Sequence, residues 1–113
     1  MLDWVGYKKE LLSRVGQLGK LAPETVKGYQ ALSQAGDKTD LLGAKNRELI
    51  AVAVAVALRC DGCITVHSAQ AVKLGATKEE IAEALGVAVA ISAGAAVVYS
   101  ARTLDAVDAH LAA

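Results

Sequence analysis

Cys60-Asp61-Gly62-Cys63-Ile64-Thr65-Val66-His67 is the segment whose residue types and spacing could do chemistry. Two thiols three residues apart are within reach of one another, so one attacks and its neighbour condenses with the product. With Cys63 in the first turn of a helix, unpaired backbone N–H groups and the helix dipole favour its thiolate. His67, four residues on, falls one helical turn along the same face. An imidazole there accepts the thiol proton, or as imidazolium stabilises the thiolate. Asp61 is placed to cap this helix through its carboxylate, and its charge disfavours a neighbouring thiolate. Thr65 and Ser68 are local hydroxyl donors without a recognisable motif.

These are the only cysteines, and a disulfide between them would tie almost nothing together as a structural staple. In a reducing cytoplasm the spacing points to redox exchange or metal ligation. Cys60, Cys63 and His67 would supply three zinc ligands, with an acidic residue or water as the fourth, although a second ligand knuckle is missing. A third reading is a small oligomeric assembly module carrying an incidental redox pair.

Apolar residues recurring at three and four predict an amphipathic helix over 4–20, through Trp4, Val5, Leu11, Leu12, Val15 and Leu18. Pro23 suits the first turn of a second helix, which carries Val26, Tyr29 and Leu32 and should stop near Gly36. Residues 37–43 read as a loop. Over 44–59, Val alternates with Ala, a pattern that also fits a strand. Its breaker-free length and Ala content favour a helix, apolar nearly all round and so packed on most sides. The cysteine helix should begin at Asp61 or Gly62 and run to Leu74, with Gly75 closing it. Thr77-Lys78-Glu79-Glu80 is a capping box opening a fifth helix, with Ile81, Leu85, Ala88 and Val89 as its stripe. Gly94 marks an expected break before a last helix through Val98, Arg102, Leu104 and Val107. His110 near its end suits the dipole and carries no chemistry. The fold class is all-α, a bundle of about six helices in a single domain over 1–113.

Of the 113 residues, 54% are apolar but only 4% aromatic, with Ala, Val, Leu and Ile making up the mass. Small side chains bury little area each, so oligomerisation is expected to complete the core. Trp4, Tyr7, Tyr29 and Tyr99 read as packing or interface residues. Twelve basic and twelve acidic residues balance, leaving no field or local cluster to attract nucleic acid or an anionic membrane. The acidic third residue argues against a secretory signal. The uncharged stretch 84–101 is 18 residues long, but its Ala, Gly and Ser content makes it a poor membrane span. The expectation is a soluble, cytoplasmic protein.

Glu48, twelve residues before Cys60, then Cys60-x-x-Cys63-x-x-x-His67, then the helix start Gly75-Ala-Thr-Lys-Glu-Glu80-Ile81, resemble the AhpD-like alkylhydroperoxidases of the carboxymuconolactone decarboxylase superfamily. The resemblance covers residues 40–105 or so. It implies an all-helical fold, commonly a homo-trimer or homo-hexamer, and a hydroperoxide reductase without a tightly bound cofactor. Its disulfide would be re-reduced by an external thiol donor, lipoamide or another dithiol. Carried over by position, Cys63 is the peroxidatic thiol, Cys60 the resolving thiol and proton donor, and His67 with Glu48 the proton relay. The best-known members have a His just before the second cysteine, where this chain has Gly62. Along a straight helix Glu48 would stand about 18 Å from Cys60, so a relay role requires packing that returns the neighbouring helix alongside. The decarboxylase branch generally lacks the cysteine pair, and lactone decarboxylation rests on the superfamily name alone.

Overall fold

The computed structural model describes residues 1–113, which form six α-helices and no strand. They are α1 (Trp4–Leu21), α2 (Pro23–Ser33), α3 (Ala35–Thr39), α4 (Ala44–Ala57), α5 (Asp61–Lys73) and α6 (Lys78–Ala112). Helix α4 is the centre, packing on α5 along one side and on the first half of α6 along another. Helix α1 lies across α5 and pairs with α2. The valine-alanine stretch is therefore helical, with Val52 and Ala55 buried where the neighbours meet. It is not packed on most sides, however: only the sides facing α5 and α6 are covered. Ile50 and Val54 are exposed, and with Val87 and Ile91 they line an open apolar groove of about 260 Å³.

Helix starts and stops follow local chemistry. Asp3 caps α1, its Oδ1 accepting from the Gly6 N–H at 3.1 Å. Pro23 is the first residue of α2. The Thr77–Glu80 capping box is formed in both directions, at 3.1 and 3.0 Å. Gly75 closes α5 at φ +88°, a left-handed conformation that costs glycine no Cβ clash.

Two predicted boundaries differ. Residues 37–39 are helical rather than loop, because α2 ends at Ser33 and α3 follows after Gln34. Arg47 on α4 holds that segment, bonding Asp40 at 2.7 Å and Asp37 at 3.1 Å. Those bonds, Asp40's foremost, hold the guanidinium's proton affinity above its ordinary value. Gly36 makes room for them, since a Cβ there would stand 2.7 Å from Arg47 Cδ. The expected break at Gly94 is absent, and α6 runs unbroken for 35 residues. An interior glycine costs a helix roughly 1 kcal/mol but ends it only where a cap or a proline redirects the chain. Here Ala93, Ala95 and Ala96 surround it, so the six helices arise from an added α3 and a merged α6.

The stripe on α6 also differs. Ala88 is buried and Ile81, Ala84 and Leu85 are half-buried against α4, but Val89 is exposed. Lys45 of α4 meets Glu80 of α6 at 2.7 Å, so the two helices run side by side in the same direction. Residues 93–112 therefore extend past the end of α4, and every one of them is exposed.

Candidate functional site

The site lies where α4 gives way to α5. Helix α4 closes in a Schellman turn: the Arg59 N–H donates to the Val56 carbonyl at 3.1 Å and the Cys60 N–H to the Ala55 carbonyl at 3.0 Å. Arg59 takes the left-handed position at φ +56°, where glycine is the usual occupant. Cys60 then opens α5. Its backbone is extended and its Sγ accepts the Cys63 N–H at 3.2 Å. Cys60 is thus the N-cap, and the capping role expected of Asp61 is not found. Asp61 is the first helical residue, its charge still favoured beside the positive end of the dipole. One cysteine ends one helix and begins the next.

Cys63 is the third residue of α5, in its first turn as predicted, and is joined to Cys60 in a disulfide with the Cα atoms 5.2 Å apart. His67 follows one turn along. Helix α4 folds back against α5 and brings Glu48 to it, with His67 Nδ1 and Glu48 Oε2 at 2.7 Å. The separation along one helix is thus cancelled by packing two helices side by side. A carboxylate only accepts, so Nδ1 is the donor and Nε2 remains to take or give a proton. Both side chains are mostly shielded, 27% and 21% exposed, and shielding from water strengthens a charge-assisted bond. Cys60 and Cys63 thus sit at the α4–α5 junction, and the His67–Glu48 pair bridges the same two helices one turn further along α5.

No group of three or more His, Cys, Asp or Glu side chains converges in metal-ligating geometry, and the two sulfurs are spent on each other. Thr65 is more than a local donor. It is 4% exposed, and its hydroxyl donates to the main-chain carbonyl of Trp4 at 2.8 Å, pinning α1 onto α5. Ser68 bonds only the Thr65 carbonyl within its own helix, at 3.4 Å. The bareness of Gly62 was the sequence signal for a further neighbour: a Cβ there would stand 2.7 Å from Leu11 Cδ2 of α1.

The fold and site define an all-α protein with a disulfide-forming cysteine pair at a helix junction, backed by an imidazole–carboxylate pair. Residues 23–106 match the carboxymuconolactone decarboxylase family, and the chain belongs to that family, within the AhpD-like superfamily. It is similar to an uncharacterized protein of Haemophilus influenzae, 46% identical over 104 residues that cover 92% of each chain. An uncharacterized protein of Cupriavidus necator is 34% identical over 100 residues, 88% of each chain. Another, from the cox locus of Paracoccus denitrificans, is 34% identical over 94 residues, 83% of this chain and 85% of that one. The crystal structure of an apo carboxymuconolactone decarboxylase family protein from Legionella pneumophila superposes with a TM-score of 0.75. It is 40% identical and covers 90% of this chain and 91% of its own.

Proposed function

We propose that this protein is a thiol-dependent hydroperoxide reductase. The observation that carries the reading is the joined Cys60–Cys63 pair, with the His67–Glu48 pair bridging the same two helices one turn along α5. In the reduced protein, Cys63 Sγ as thiolate attacks one oxygen of the O–O bond. The bond breaks, Cys63 becomes a sulfenic acid, and the departing alkoxide takes a proton to leave as the alcohol. His67, held in one orientation by Glu48, accepts the thiol proton and returns it to the departing oxygen. Cys60 then attacks the sulfenic sulfur, water leaves, and the disulfide forms. An external dithiol restores both thiols by two exchanges and is itself oxidised. Its working compartment in this reading is the cytoplasm, where such donors are kept reduced.

Mass measurement after one equivalent of hydroperoxide tests this. The parent should lose two thiols without gaining oxygen, Cys60→Ser should gain one oxygen at Cys63, and Cys63→Ser should gain none. A Cys63→Ser variant that consumes peroxide as fast as the parent would refute the reading.

We also infer that the working form is a homo-oligomer, a trimer or hexamer. A compact chain of this mass exposes about 5,800 Å², whereas this one exposes 8743 Å² and buries only five residues. The excess of roughly 2,900 Å² lies in the range that obligate interfaces cover. The radius of gyration is 18.6 Å, against about 13 Å for a compact chain of this length. Much of the bare surface is the end of α6, where Ala93, Val97, Ser100, Leu104, Val107 and Leu111 recur at alternating four and three, the seam of helices that pack together. By length and composition alone α6 also passes as a membrane span. Its first turns are instead seated on α4, and Arg102, Asp105 and Asp108 punctuate its far end, which supports an interface between copies.

A further inference from the structure

We infer that Leu11 is a specificity-determining residue, the apolar wall on one flank of the Cys60–Cys63 turn that selects which thiols exchange with the disulfide. Gly62 stands between the two cysteines, and the space its side chain would fill is taken by Leu11. A Cβ on Gly62 would lie 2.7, 3.8 and 3.9 Å from Leu11 Cδ2, Cδ1 and Cγ. Leu11 is itself half-buried. It is held there by a bond that does not involve the sulfurs, since Thr65 donates to the Trp4 main chain at 2.8 Å and so anchors the start of α1 whatever side chain Trp4 carries.

The helical wheel of α5 places this wall relative to the chemistry. Successive residues turn by about 100°, so Gly62, Thr65 and Ala69 share the side facing α1. Cys63 and His67 lie within about 40° of each other, on a different side. Gly62 precedes Cys63 in the chain and lies about 100° from it on that wheel, between the two joined cysteines in sequence. On this proposal a reagent approaching Cys63 meets the imidazole towards α4, where Glu48 holds it, and the isobutyl group of Leu11 towards α1, across Gly62. One flank is polar and proton-bearing; the other is apolar and fixed. Residues 23–106 carry the family match, so the wall comes from a helix preceding that region.

The exchange that reads this out uses an external monothiol as reductant. Its thiolate attacks one sulfur of the disulfide, a mixed disulfide forms, and the other cysteine leaves as thiolate. A second thiolate attacks the mixed disulfide, releasing the oxidised reagent and the second cysteine, and both thiolates take protons from solvent. The inference rests on Cys60–Cys63 being an exchanging disulfide, as the proposed function does, but needs no peroxide step.

The test compares reduction of the oxidised full chain by mercaptoethanol, which is small, and by glutathione, a bulkier tripeptide, counting free thiols by mass after alkylation. Leu11→Ala should raise the glutathione-to-mercaptoethanol rate ratio by about tenfold, the scale of selectivity a few methylenes confer. Leu11→Met, which conserves volume, should keep the parent ratio. Adding Gly62→Ala to Leu11→Ala puts a methyl back into the vacated space and should return the ratio towards that of the parent. Should Leu11→Ala not fold, Leu11→Val carries the test with a smaller shift of the same sign. An unchanged ratio in a folded variant overturns the proposal. So does a rise in both rates together, which would make Leu11 merely the residue that holds α1 down. Failure of the parent to consume hydroperoxide would refute the proposed function and leave this ratio test standing.

Discussion

The two halves of α6 belong to one unbroken helix of similar composition, yet they live in different surroundings. Its first half begins with a well-formed capping box and is fixed to α4 through the Lys45–Glu80 bond and buried Ala88. Its second half, equally rich in Ala and Val, touches nothing. Helix propensity is the same in both, so propensity does not explain the difference. An apolar stripe without a partner is an incomplete structure. The site belongs to the completed region: Glu48 is on the helix that α5 and α6 both cover, and the chemistry is built where packing within one chain is already sufficient.

The strongest way to break this contrast is to charge the bare half. Leu104→Asp with Val107→Asp should convert the proposed oligomer into smaller species in sedimentation velocity, since each buried aliphatic contributes about 1.5–3 kcal/mol and a buried carboxylate costs more. A parent that sediments as a single chain would erase the contrast at once. Next in size is a change in the packed half. Ala71 is fully buried between helices, so Ala71→Leu should overfill its site and lose about 1–3 kcal/mol in denaturant unfolding. No loss would show the packed region to be as loose as the bare one. Arg59→Gly works in the opposite direction. Relieving a side chain from the left-handed turn at φ +56° should add about 1 kcal/mol, and a destabilised variant would mean that the Arg59 side chain is needed there.

The smallest effect is a pH dependence at the base of α6. The Lys45 bond foremost, then the Thr77 N–H, hold Glu80 below its ordinary carboxylate range. Its folded value is thus lower than its unfolded one. The stability it confers is present at neutral pH and is lost as pH falls through the folded value. Glu80→Gln should therefore flatten the acid side of a stability-against-pH curve and leave the alkaline side unchanged. A parent-like acid limb would mean that the Lys45–Glu80 contact contributes nothing in solution.

Local signals were legible wherever they were complete within a few residues. The Thr77–Glu80 box, Pro23 at a helix start, Gly75 at a helix end and the phase of Cys63 with His67 could all be read directly. The Glu48–His67 contact could be recognised only through the family resemblance, because it depends on how α4 and α5 pack, and spacing along the chain argues against it. Gly94 misled because glycine weakens a helix without stopping it. Asp61 was the better capping residue by type, but the Schellman turn leaves Cys60 as the extended residue, and backbone geometry decided. The ion pairs that make 37–39 helical join residues up to ten apart on different helices, beyond what a local pattern encodes. Leu11 was legible as a core position but not as the neighbour of Gly62, since that contact joins segments about fifty residues apart in the sequence.

Cys60 completes the turn that closes α4 and is also the N-cap of α5, so the junction has no slack. A single amino acid added anywhere from 59 to 66 would leave both helices intact and still swing the imidazole through about a quarter turn, away from its carboxylate. Between Glu48 and His67 the chain works as a gauge of fixed count, and a homologous chain that altered that count would keep the architecture and lose the pairing.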